Sequence, residues 1–415
     1  MTNEANGPTV VVMVLDALGV TTLDYLLDRY GGDVRLPNFH SLGLGNLLAQ
    51  RHHARVSPNP DAQFAMAVEQ VSASADSVIG HREMVGVIDP TTYDLFPDGF
   101  PTEYITELER RIGSPVLFNK MAGGNDAIGR NWRQHQATGY PIVYASVCDP
   151  AIQVAMDEAV IGIEDQHTII EEAFRVAQGM GVRINRAIGR SYVMLSREGD
   201  GKFKRTANRH DVVLPLTQPT LVDILREQGV HTIAVAKVGD LVTTRFSDSI
   251  KVQEGNYDAS LGFQFVHPDK ADTNPYSLQG TVMAIQAAQR ERRPNGTFVF
   301  ANLVDTDAVW GHTRLVEGAL HCVEEVDRSL PTVMSYLRPG DIFMVTADHG
   351  MEHRPNYGYH NREPVPLLAV RIGSDRLGLD AGRGKTMAVV GYLAAQVFGC
   401  EKAFVERCGL GEYLP

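Results

Sequence analysis

An aspartate and a histidine stand together after a short apolar segment late in the chain. Residues 342–345 have the composition of a buried strand, and Asp348 and His349 follow closely. Both side chains are costly to bury unless they are paired or bound to a metal, and they supply the ligands that divalent cations accept. His360 adds a third such group eleven residues after His349. Taken alone, the pair is also typical of a solvated loop, so its interpretation depends on the rest of the chain.

Other acidic and imidazole groups follow other apolar segments. Residues 9–15 form a continuous Val-rich segment that ends at Asp16, and residues 297–304 precede Asp307 and His312. Open α/β sheets place their ligands at the carboxyl ends of such strands. Asp16 taken alone is equally consistent with a helix N-cap or a turn.

A serine lies in a polar turn ahead of a further apolar segment. Ser77 ends the small and polar residues 71–77, which predict a turn from a strand into a helix. A hydroxyl at a helix N-terminus lies where free N–H groups and the helix dipole stabilise an anion. The alternative is that Ser74, Asp76 and Ser77 only cap the helix.

These groups converge on one edge of the predicted sheet, and together they suffice for two metal ions and one nucleophile. The set comprises Asp16, Ser77, Asp307, His312, Asp348, His349 and His360. Two ions about 3.5–4 Å apart can clamp the attacking and leaving oxygens of an in-line displacement, and a serine hydroxyl beside a cation becomes a nucleophile. Phosphate monoesters are among the slowest substrates to react in water, so the constellation predicts phosphoryl transfer.

The elements that must position these groups alternate between strands and helices. Helices are predicted at residues 102–112, 168–179, 221–228, 277–290, 315–337 and 386–398, and strands at 9–15, 142–145, 191–195, 231–236, 297–304, 342–345 and 366–371; residues 63–71 fit either type. Repeated βα units predict an α/β fold with a mostly parallel sheet between helices. The segment from the turn-rich residues 96–101 to residue 216 has a different sequence pattern from the parts before and after it, whose βα alternation is alike. We therefore predict a metal-binding catalytic core of residues 1–100 and 217–415, and an inserted α/β cap domain of residues 101–216.

Composition limits the location and the partners of the chain. It has 415 residues and a net charge of −12, without a basic stretch, so no nucleic-acid partner is expected. The apolar residues 10–15 are too short for a signal peptide or a membrane span, which predicts a soluble cytoplasmic protein. The cysteines show no CxxC spacing and are expected to be reduced thiols. The oligomeric state stays open.

Motifs across nearly the whole chain resemble those of the phosphopentomutases, within the alkaline phosphatase superfamily. They are Val14-Leu15-Asp16, Asp76-Ser77 with Gly80-His81 and Glu83, Phe96-Pro97-Asp98-Gly99-Phe100-Pro101, Arg205-Thr206 with Asn208-Arg209-His210-Asp211, Lys237, Asn302-Leu303-Val304-Asp305, Gly311-His312, Thr346-Ala347-Asp348-His349-Gly350, and His360 with Arg362-Glu363. The resemblance implies an alkaline-phosphatase-like core that binds manganese. One ion would be held by Asp16, Ser77, Asp348 and His349, and the other by Asp307, His312 and His360.

The resemblance also implies a reaction and a substrate. The expected enzyme is a metal-dependent isomerase of nucleoside metabolism that interconverts pentose 1-phosphate and pentose 5-phosphate, with ribose or deoxyribose as the sugar. Phosphorylated Ser77 would donate its phosphoryl group to give a bisphosphate intermediate, and a sugar bisphosphate could prime the enzyme. The alternative is a phosphatase or phosphomutase of the same superfamily that acts on a different sugar phosphate.

Five further residues are implied as substrate contacts, namely Asp149, Arg190, Arg205, Arg209 and Lys237. Asp149 would contact a sugar hydroxyl, Lys237 would act from the core, and the arginines would bind a phosphate from the cap. Arginine suits a terminal phosphate because its guanidinium binds two oxygens at once. For any one of these arginines the alternative is a surface ion pair.

Several features depart from the usual motifs of the family. Ser77 stands where the family commonly has Thr, Ala75 where it has Lys, and Arg82 where it has Trp. The loop at residues 146–150 is one residue longer. Serine keeps the chemistry of threonine, whereas the changes at positions 75 and 82 either relocate a charge or change which phosphate is bound. The reaction type is therefore better defined than the sugar.

Overall fold

The computed structural model describes residues 6–268, 272–313, 315, 317–352, 359–382 and 385–415. The chain folds as two units, a larger one formed by Met1–Thr91 with Leu216–Pro415 and a smaller one formed by Thr92–Pro215. The expected cap, residues 101–216, lies almost wholly within the smaller unit. Its action as a cap stays a prediction.

Strands and helices follow one another along the chain in both units. The larger unit begins with β1 (Thr9–Leu15), α1 (Val20–Tyr30), α2 (Pro37–Ser41), β2 (Ala65–Val68) and α3 (Ser77–Met84). The smaller unit contains α4 (Thr102–Ile112), β3 (Leu117–Met121), α5 (Gly124–Thr138), β4 (Ile142–Ala145), β5 (Ala151–Asp157), α6 (Ile163–Met180), β6 (Arg186–Ser196), β7 (Lys202–Arg205) and β8 (Asp211–Val213). The larger unit then continues with α7 (Leu221–Glu227), β9 (His231–Val235), α8 (Val238–Val242), β10 (Asp248–Ile250), α9 (Asn274–Arg290), β11 (Thr297–Leu303), a π-helical turn (Thr306–Gly311), α10 (Glu317–Ser335), β12 (Ile342–Thr346), β13 (Gly350–Met351), β14 (His360–Asn361), β15 (Val365–Arg371), α11 (Val389–Val397) and α12 (Glu401–Arg407).

The central sheet of the larger unit explains why its predicted strands are so uniformly apolar. Its order is β10-β9-β11-β1-β12-β15-β2, with parallel neighbours from β10 to β12 and antiparallel pairing of β15 with both β12 and β2. All seven residues of β1 are buried, as expected for a parallel strand covered on both faces. The predicted α/β class with a mostly parallel sheet is therefore confirmed. Residues 63–71, which fitted either type, contain the strand β2.

The register of the central strands brings several predicted site residues to one edge. Leu15 pairs with Leu303, and Val14 pairs with Thr346, so β1, β11 and β12 end at the same level. Asp16, the π-helical turn and Asp348 follow these three strands. The carboxyl ends of parallel strands are where open sheets bind their ligands.

Helices flank this sheet in two groups. In one, α9 packs on β9 and β11 and contacts α10, which also contacts α1 and α2. In the other, α7 packs on β9, α11 packs on β1, and both contact α12. A capping box starts α7, because the Thr220 hydroxyl accepts from the N–H of Asp223 while the Asp223 carboxylate accepts from the N–H of Thr220.

The smaller unit has its own sheet, with the order β3-β4-β5-β6-β7 and with β8 beside β6. Its strands bury alternate side chains on opposite faces. Val143 and Ile152 pack with α4 and α6 in one core, whereas Ile142 and Tyr144 pack with Trp132 of α5 in another. This alternation follows from the two-residue period of a strand.

Within the described residues, no helix combines the length and the apolar character needed to cross a bilayer. All four cysteines are buried, and none of them forms a disulfide in the described chain.

Candidate metal centre

A tight turn after β1 joins two buried carboxylates. Ala17 has a φ of 58°, in the left-handed region that costs a residue with a side chain about 1–3 kcal/mol. In this conformation the N–H of Ala17 donates to Oδ1 of Asp348 at 3.0 Å, while the N–H of Asp16 donates to the carbonyl of Leu303 at 2.9 Å. The turn therefore holds Asp16 between the end of β11 and the loop after β12.

Asp16, Asp348 and His349 form the first group of ligand atoms. Nε2 of His349 lies 3.3 Å from Oδ1 of Asp16 and 3.6 Å from Oδ2 of Asp348. All three side chains are buried, and their ligand atoms lie within 4.8 Å of one another. In the described structure neither Nε2 of His349 nor Oδ2 of Asp348 makes a hydrogen bond of good geometry. Buried polar atoms in that condition are rare, and a divalent cation is a partner that fits this set of oxygen and nitrogen atoms.

Asp307, His312 and His360 form the second group. Asp307 lies in the π-helical turn after β11, and its Oδ2 is 3.1 Å from Nε2 of His312. Its other oxygen, Oδ1, is 3.2 Å from Nε2 of His360. His360 reaches this position through the β13–β14 pair, in which it stands opposite Met351. The carboxylate of Asp307 therefore lies between two imidazoles, which provides a second candidate metal position. Its π-helical turn is a geometry common at functional sites.

The electrostatics of both groups favours the entry of positive charge. Burial raises the pKa of Asp16, and the charge of Asp348 raises it further. Burial also acts to raise the pKa of Asp307, but its two histidine neighbours outweigh this effect and hold that pKa well below its usual range. Although burial acts to lower the pKa of His349, Asp348 and Asp16 raise it well above its ordinary value. Three buried carboxylates therefore attract cations, and divalent ions would supply the charge they need.

Ser77 is the first residue of α3, and its hydroxyl faces the first group. Its Oγ donates to Oδ1 of Asp16 at 3.2 Å. The N-cap is Asp76, whose carboxylate accepts a hydrogen bond from the N–H of Ile79 at 2.9 Å. Asp76 therefore caps the helix, and the Ser77 hydroxyl lies among the ligand atoms. The first N–H groups and the dipole of α3 favour an anion at this point.

Comparisons with known proteins identify the family. A family model for the metalloenzyme superfamily matches residues 9–402. The phosphopentomutase of Caldanaerobacter subterraneus subsp. tengcongensis is 34% identical over 405 residues, which cover 94% of each chain. The phosphopentomutase of Symbiobacterium thermophilum is 33% identical over 423 residues, which cover 97% of this chain and 96% of the relative. The chain belongs to the phosphopentomutase family of metalloenzymes.

Membership of the phosphopentomutase family makes the protein a metal-dependent phosphomutase that uses divalent ions. The family identified from the motifs is confirmed, and the α/β fold class with a mostly parallel sheet between helices agrees with it. Among solved structures, a phosphoglycerate mutase of Leishmania mexicana matches with a TM-score of 0.45 at 12% identity, covering 95% of this chain and 96% of that chain. An alkaline phosphatase of the Antarctic bacterium TAB5 matches with a TM-score of 0.38 at 10% identity, covering 95% of this chain and 99% of that chain.

Two residues of the phosphopentomutase motif after Ser77 support the site from α3. A Cβ at Gly80 would overlap the carbonyl oxygen of Asp348, so glycine is required where α3 passes the loop after β12. Nδ1 of His81 lies 2.8 Å from the carbonyl oxygen of Ser77 and 3.3 Å from Oδ2 of Asp348. The helix that carries Ser77 is therefore packed directly on a predicted metal ligand.

Two residues near the site received no role from the sequence, although both stand in the phosphopentomutase motifs. Nδ2 of Asn302, within β11, donates to Oδ2 of Asp16 at 3.3 Å. Glu363 accepts from the N–H of Thr22 at 2.8 Å, and its side chain fills the space that a Cβ would need at Gly19. The partners lie 286 and 341 residues away along the chain, which no local pattern reveals.

Arg82, which departs from the phosphopentomutase motif, anchors a neighbouring helix. Its side chain is buried, with Nε donating to the carbonyl of Leu241 at 3.2 Å and Nη2 donating to the hydroxyl of Thr243 at 2.8 Å. These residues end α8, which begins directly after Lys237. Lys237 follows β9 at the carboxyl edge of the sheet, preceded by Ala236 with a φ of 61°. The charge at position 82 therefore supports the segment that carries the predicted contact Lys237.

The three arginines predicted as phosphate contacts come together in the smaller unit. Arg190 lies on β6, Arg205 ends β7, Arg209 precedes β8, and the charges of all three act on the phenol of Tyr144. Burial lowers the pKa of Arg190 to about 10, and the neighbouring arginines add to this effect. Arg209 is paired with Asp211 through hydrogen bonds of 2.7 and 2.5 Å. Their binding of substrate stays a prediction.

Asp149, the predicted sugar contact, takes part in a buried ion pair. Its Oδ1 accepts from Nη2 of Arg186 at 2.6 Å, and its Oδ2 accepts from the hydroxyl of Ser146 at 3.0 Å. The pair joins the loop before β5 to the start of β6. The expected bond to a sugar hydroxyl stays a prediction and would add to these contacts.

Proposed function

We propose that the protein interconverts a pentose 1-phosphate and the corresponding pentose 5-phosphate, with ribose or deoxyribose as the sugar, in cytoplasmic nucleoside metabolism. The relatives named phosphopentomutase support this reaction class. The observation that carries the proposal is the position of Ser77. This residue is the first of a helix, and its hydroxyl donates to Asp16 within the first ligand group. A nucleophile in this position can accept and return a phosphoryl group.

Divalent ions complete the proposed site, and we propose that they are Mn²⁺. Asp16, Ser77, Asp348 and His349 would hold one ion, and Asp307, His312 and His360 would hold the other. When bound, the ions stabilise negative charge on a transferring phosphoryl group and favour the ionised serine hydroxyl.

The reaction consists of two transfers through Ser77. In the first, the bond between Oγ of phosphorylated Ser77 and phosphorus breaks as the free hydroxyl of the sugar phosphate bonds to phosphorus, and the hydroxyl proton passes to Oγ. In the second, Oγ bonds to the phosphorus of the other phosphoryl group as the bond from that phosphorus to its sugar oxygen breaks, and the proton of Oγ passes to that sugar oxygen. The N-terminal N–H groups of α3 bind the phosphoryl oxygens in both transfers. A sugar bisphosphate could prime the unphosphorylated enzyme.

We propose that residues 101–216 act as a cap that supplies substrate contacts. Arg190, Arg205 and Arg209 would bind the phosphate that is not being transferred, Asp149 would bind a sugar hydroxyl, and Lys237 would contribute from the core. Closure of a cap during the reaction would retain the bisphosphate and exclude water that hydrolyses the phosphoenzyme.

Product analysis with ribose 1-phosphate tests the proposed function. The purified protein, supplied with Mn²⁺ and a small amount of sugar bisphosphate, should form ribose 5-phosphate without stoichiometric release of inorganic phosphate. A Ser77→Ala variant is the matched control and should form neither product. Release of inorganic phosphate without ribose 5-phosphate would show that the protein is a phosphatase that uses the same metal site, and not a mutase. Other sugar phosphates assayed in parallel identify the preferred sugar.

A further inference from the structure

A pair of neutral side chains lies beneath the arginines of the smaller unit. Tyr144 on β4 and Gln153 on β5 stand opposite each other in the sheet, and both are buried. The hydroxyl of Tyr144 donates to Oε1 of Gln153 at 3.1 Å, and Nε of Arg190 donates to the same oxygen at 2.9 Å. One neutral oxygen therefore fixes both the phenol and the guanidinium of Arg190.

Arg205 reaches the same place from β7. It stands opposite Tyr192 of β6 in the sheet. A Cβ at Gly124, the first residue of α5, would overlap Nη2 of Arg205 and lie 2.8 Å from the hydroxyl oxygen of Tyr144. Glycine at this position therefore leaves the room in which the guanidinium of Arg205 lies beside the phenol.

Protein carboxylates balance the charge of the three arginines only in part, through Asp211. Arg209 is paired with Asp211, but in the described chain no carboxylate lies within ion-pair distance of Arg190 or Arg205. Arg190 donates to the neutral amide oxygen of Gln153. A guanidinium bonded to a neutral acceptor keeps its charge for an anion, and its fork geometry suits the oxygens of a phosphate.

We propose that Gln153 and Tyr144 are positioning residues that hold Arg190 and Arg205 as a fork for one phosphate group of the substrate. The role requires an uncharged side chain at Gln153, because a carboxylate in its place would pair with Arg190 and compete with the phosphate. The inference rests on the proposed function in one respect, because that function identifies the phosphate as part of a pentose phosphate. The attraction of the fork for phosphate itself does not depend on the sugar.

Calorimetric titration of the metal-loaded protein with ribose 5-phosphate and with inorganic phosphate tests this role. Gln153→Glu keeps the shape of the side chain and should weaken ribose 5-phosphate binding at least about tenfold, since it places a charged acceptor on Arg190. Tyr144→Phe removes only the hydroxyl and should weaken binding about two- to tenfold. Gln134→Glu makes the same exchange at an exposed position of α5 and should bind like the wild type. Arg205→Ala identifies the part of the binding heat that belongs to the fork.

Measurements on the same variants separate positioning from folding. In Gln153→Glu the KM of the mutase reaction should rise with little change in kcat, while the melting temperature and the bound metal stay unchanged. Unchanged phosphate affinity in Gln153→Glu would overturn the inference, even in a fully active mutase. If the wild type has no mutase activity but Gln153→Glu still binds inorganic phosphate more weakly than the wild type does, the proposed function is wrong and the inference stands.

Discussion

The imidazole rings of His349 and His360 are stacked, with centroids 4.1 Å apart and an interplanar angle of 29°. His349 belongs to the ligand group of Asp16, whereas His360 belongs to the ligand group of Asp307. The stacked rings join the two groups into one centre, although they come from opposite ends of the segment between β12 and β15. The two predicted metal positions are therefore neighbours.

Replacing His360 with Ala should lower the tightly bound metal from two ions to one per chain, because Asp307 keeps only one imidazole partner while the first group stays complete. Metal analysis after gel filtration measures this number. His321→Ala removes an exposed histidine of α10 and should leave both ions bound. Two tightly bound ions in the His360→Ala protein would exclude His360 from the ligand set.

Metal binding should release a proton and should strengthen as the pH rises. Burial acts to lower the pKa of His349, but Asp348 and Asp16 outweigh it and raise this pKa well above its usual value in the metal-free fold. A histidine must be neutral to bind a metal, so affinity for Mn²⁺ should increase with pH until the pH exceeds that pKa. Calorimetry at neutral pH in buffers of different ionisation heat counts the released protons. Binding heats that do not depend on the buffer would contradict this account.

Gly80→Ala should destabilise the protein and weaken its hold on metal. The added Cβ overlaps the carbonyl oxygen of Asp348, so either α3 or a metal ligand must move. The expected loss is about 1–3 kcal/mol in the free energy of unfolding, the usual cost of overpacking. Gly129→Ala in α5 is the control, since its Cβ meets no atom within 4 Å and the change should stabilise the helix by about 0.5–1 kcal/mol. Denaturant titration measures the free energy of unfolding of both variants and of the wild type. A Gly80→Ala protein as stable as the wild type would show that α3 does not need glycine at this position.

Arg205→Ala should reduce mutase turnover far more than it reduces metal binding. Loss of the phosphate contact should let the bisphosphate leave or be hydrolysed, so a larger fraction of turnovers should end in free phosphate. The ratio of ribose 5-phosphate to inorganic phosphate measures this fraction. Arg130→Ala removes an exposed arginine paired with Asp126 and should behave like the wild type. Unchanged mutase kinetics in Arg205→Ala would remove the arginines from the phosphate site.

The position of the predicted ligand residues at one edge of the sheet could be predicted from the sequence because their strands carry a local signal. The segments before Asp16 and Asp348 are continuously apolar, and the parallel arrangement alone brings their ends together. The strand predicted at residues 191–195 is part of a longer one, Arg186–Ser196. Its first half contains Arg186, Gly189 and Arg190, which weaken the apolar pattern.

The supporting contacts could not be predicted because they depend on partners distant in the chain. Arg82 binds Thr243, which lies 161 residues later, and its role depends on the packing of α3 beside α8. Gln153 meets Arg190 from 37 residues away through the pairing of β5 with β6. Register and tertiary packing decide such contacts, and neither leaves a pattern in a single sequence.

In the proposed reaction one phosphoryl group passes through Ser77 between two oxygens of a pentose. The most direct measurement combines phosphopeptide mass spectrometry of protein treated with a sugar bisphosphate with assay of ribose 1-phosphate turnover. We expect a single phosphoryl group on Ser77 in the wild type and formation of ribose 5-phosphate. Ser77→Ala should lose both while its stability changes by no more than about 1 kcal/mol. A Ser77→Ala protein that still isomerises ribose 1-phosphate, or an active wild type that is never phosphorylated at Ser77, would exclude phosphoryl transfer through Ser77.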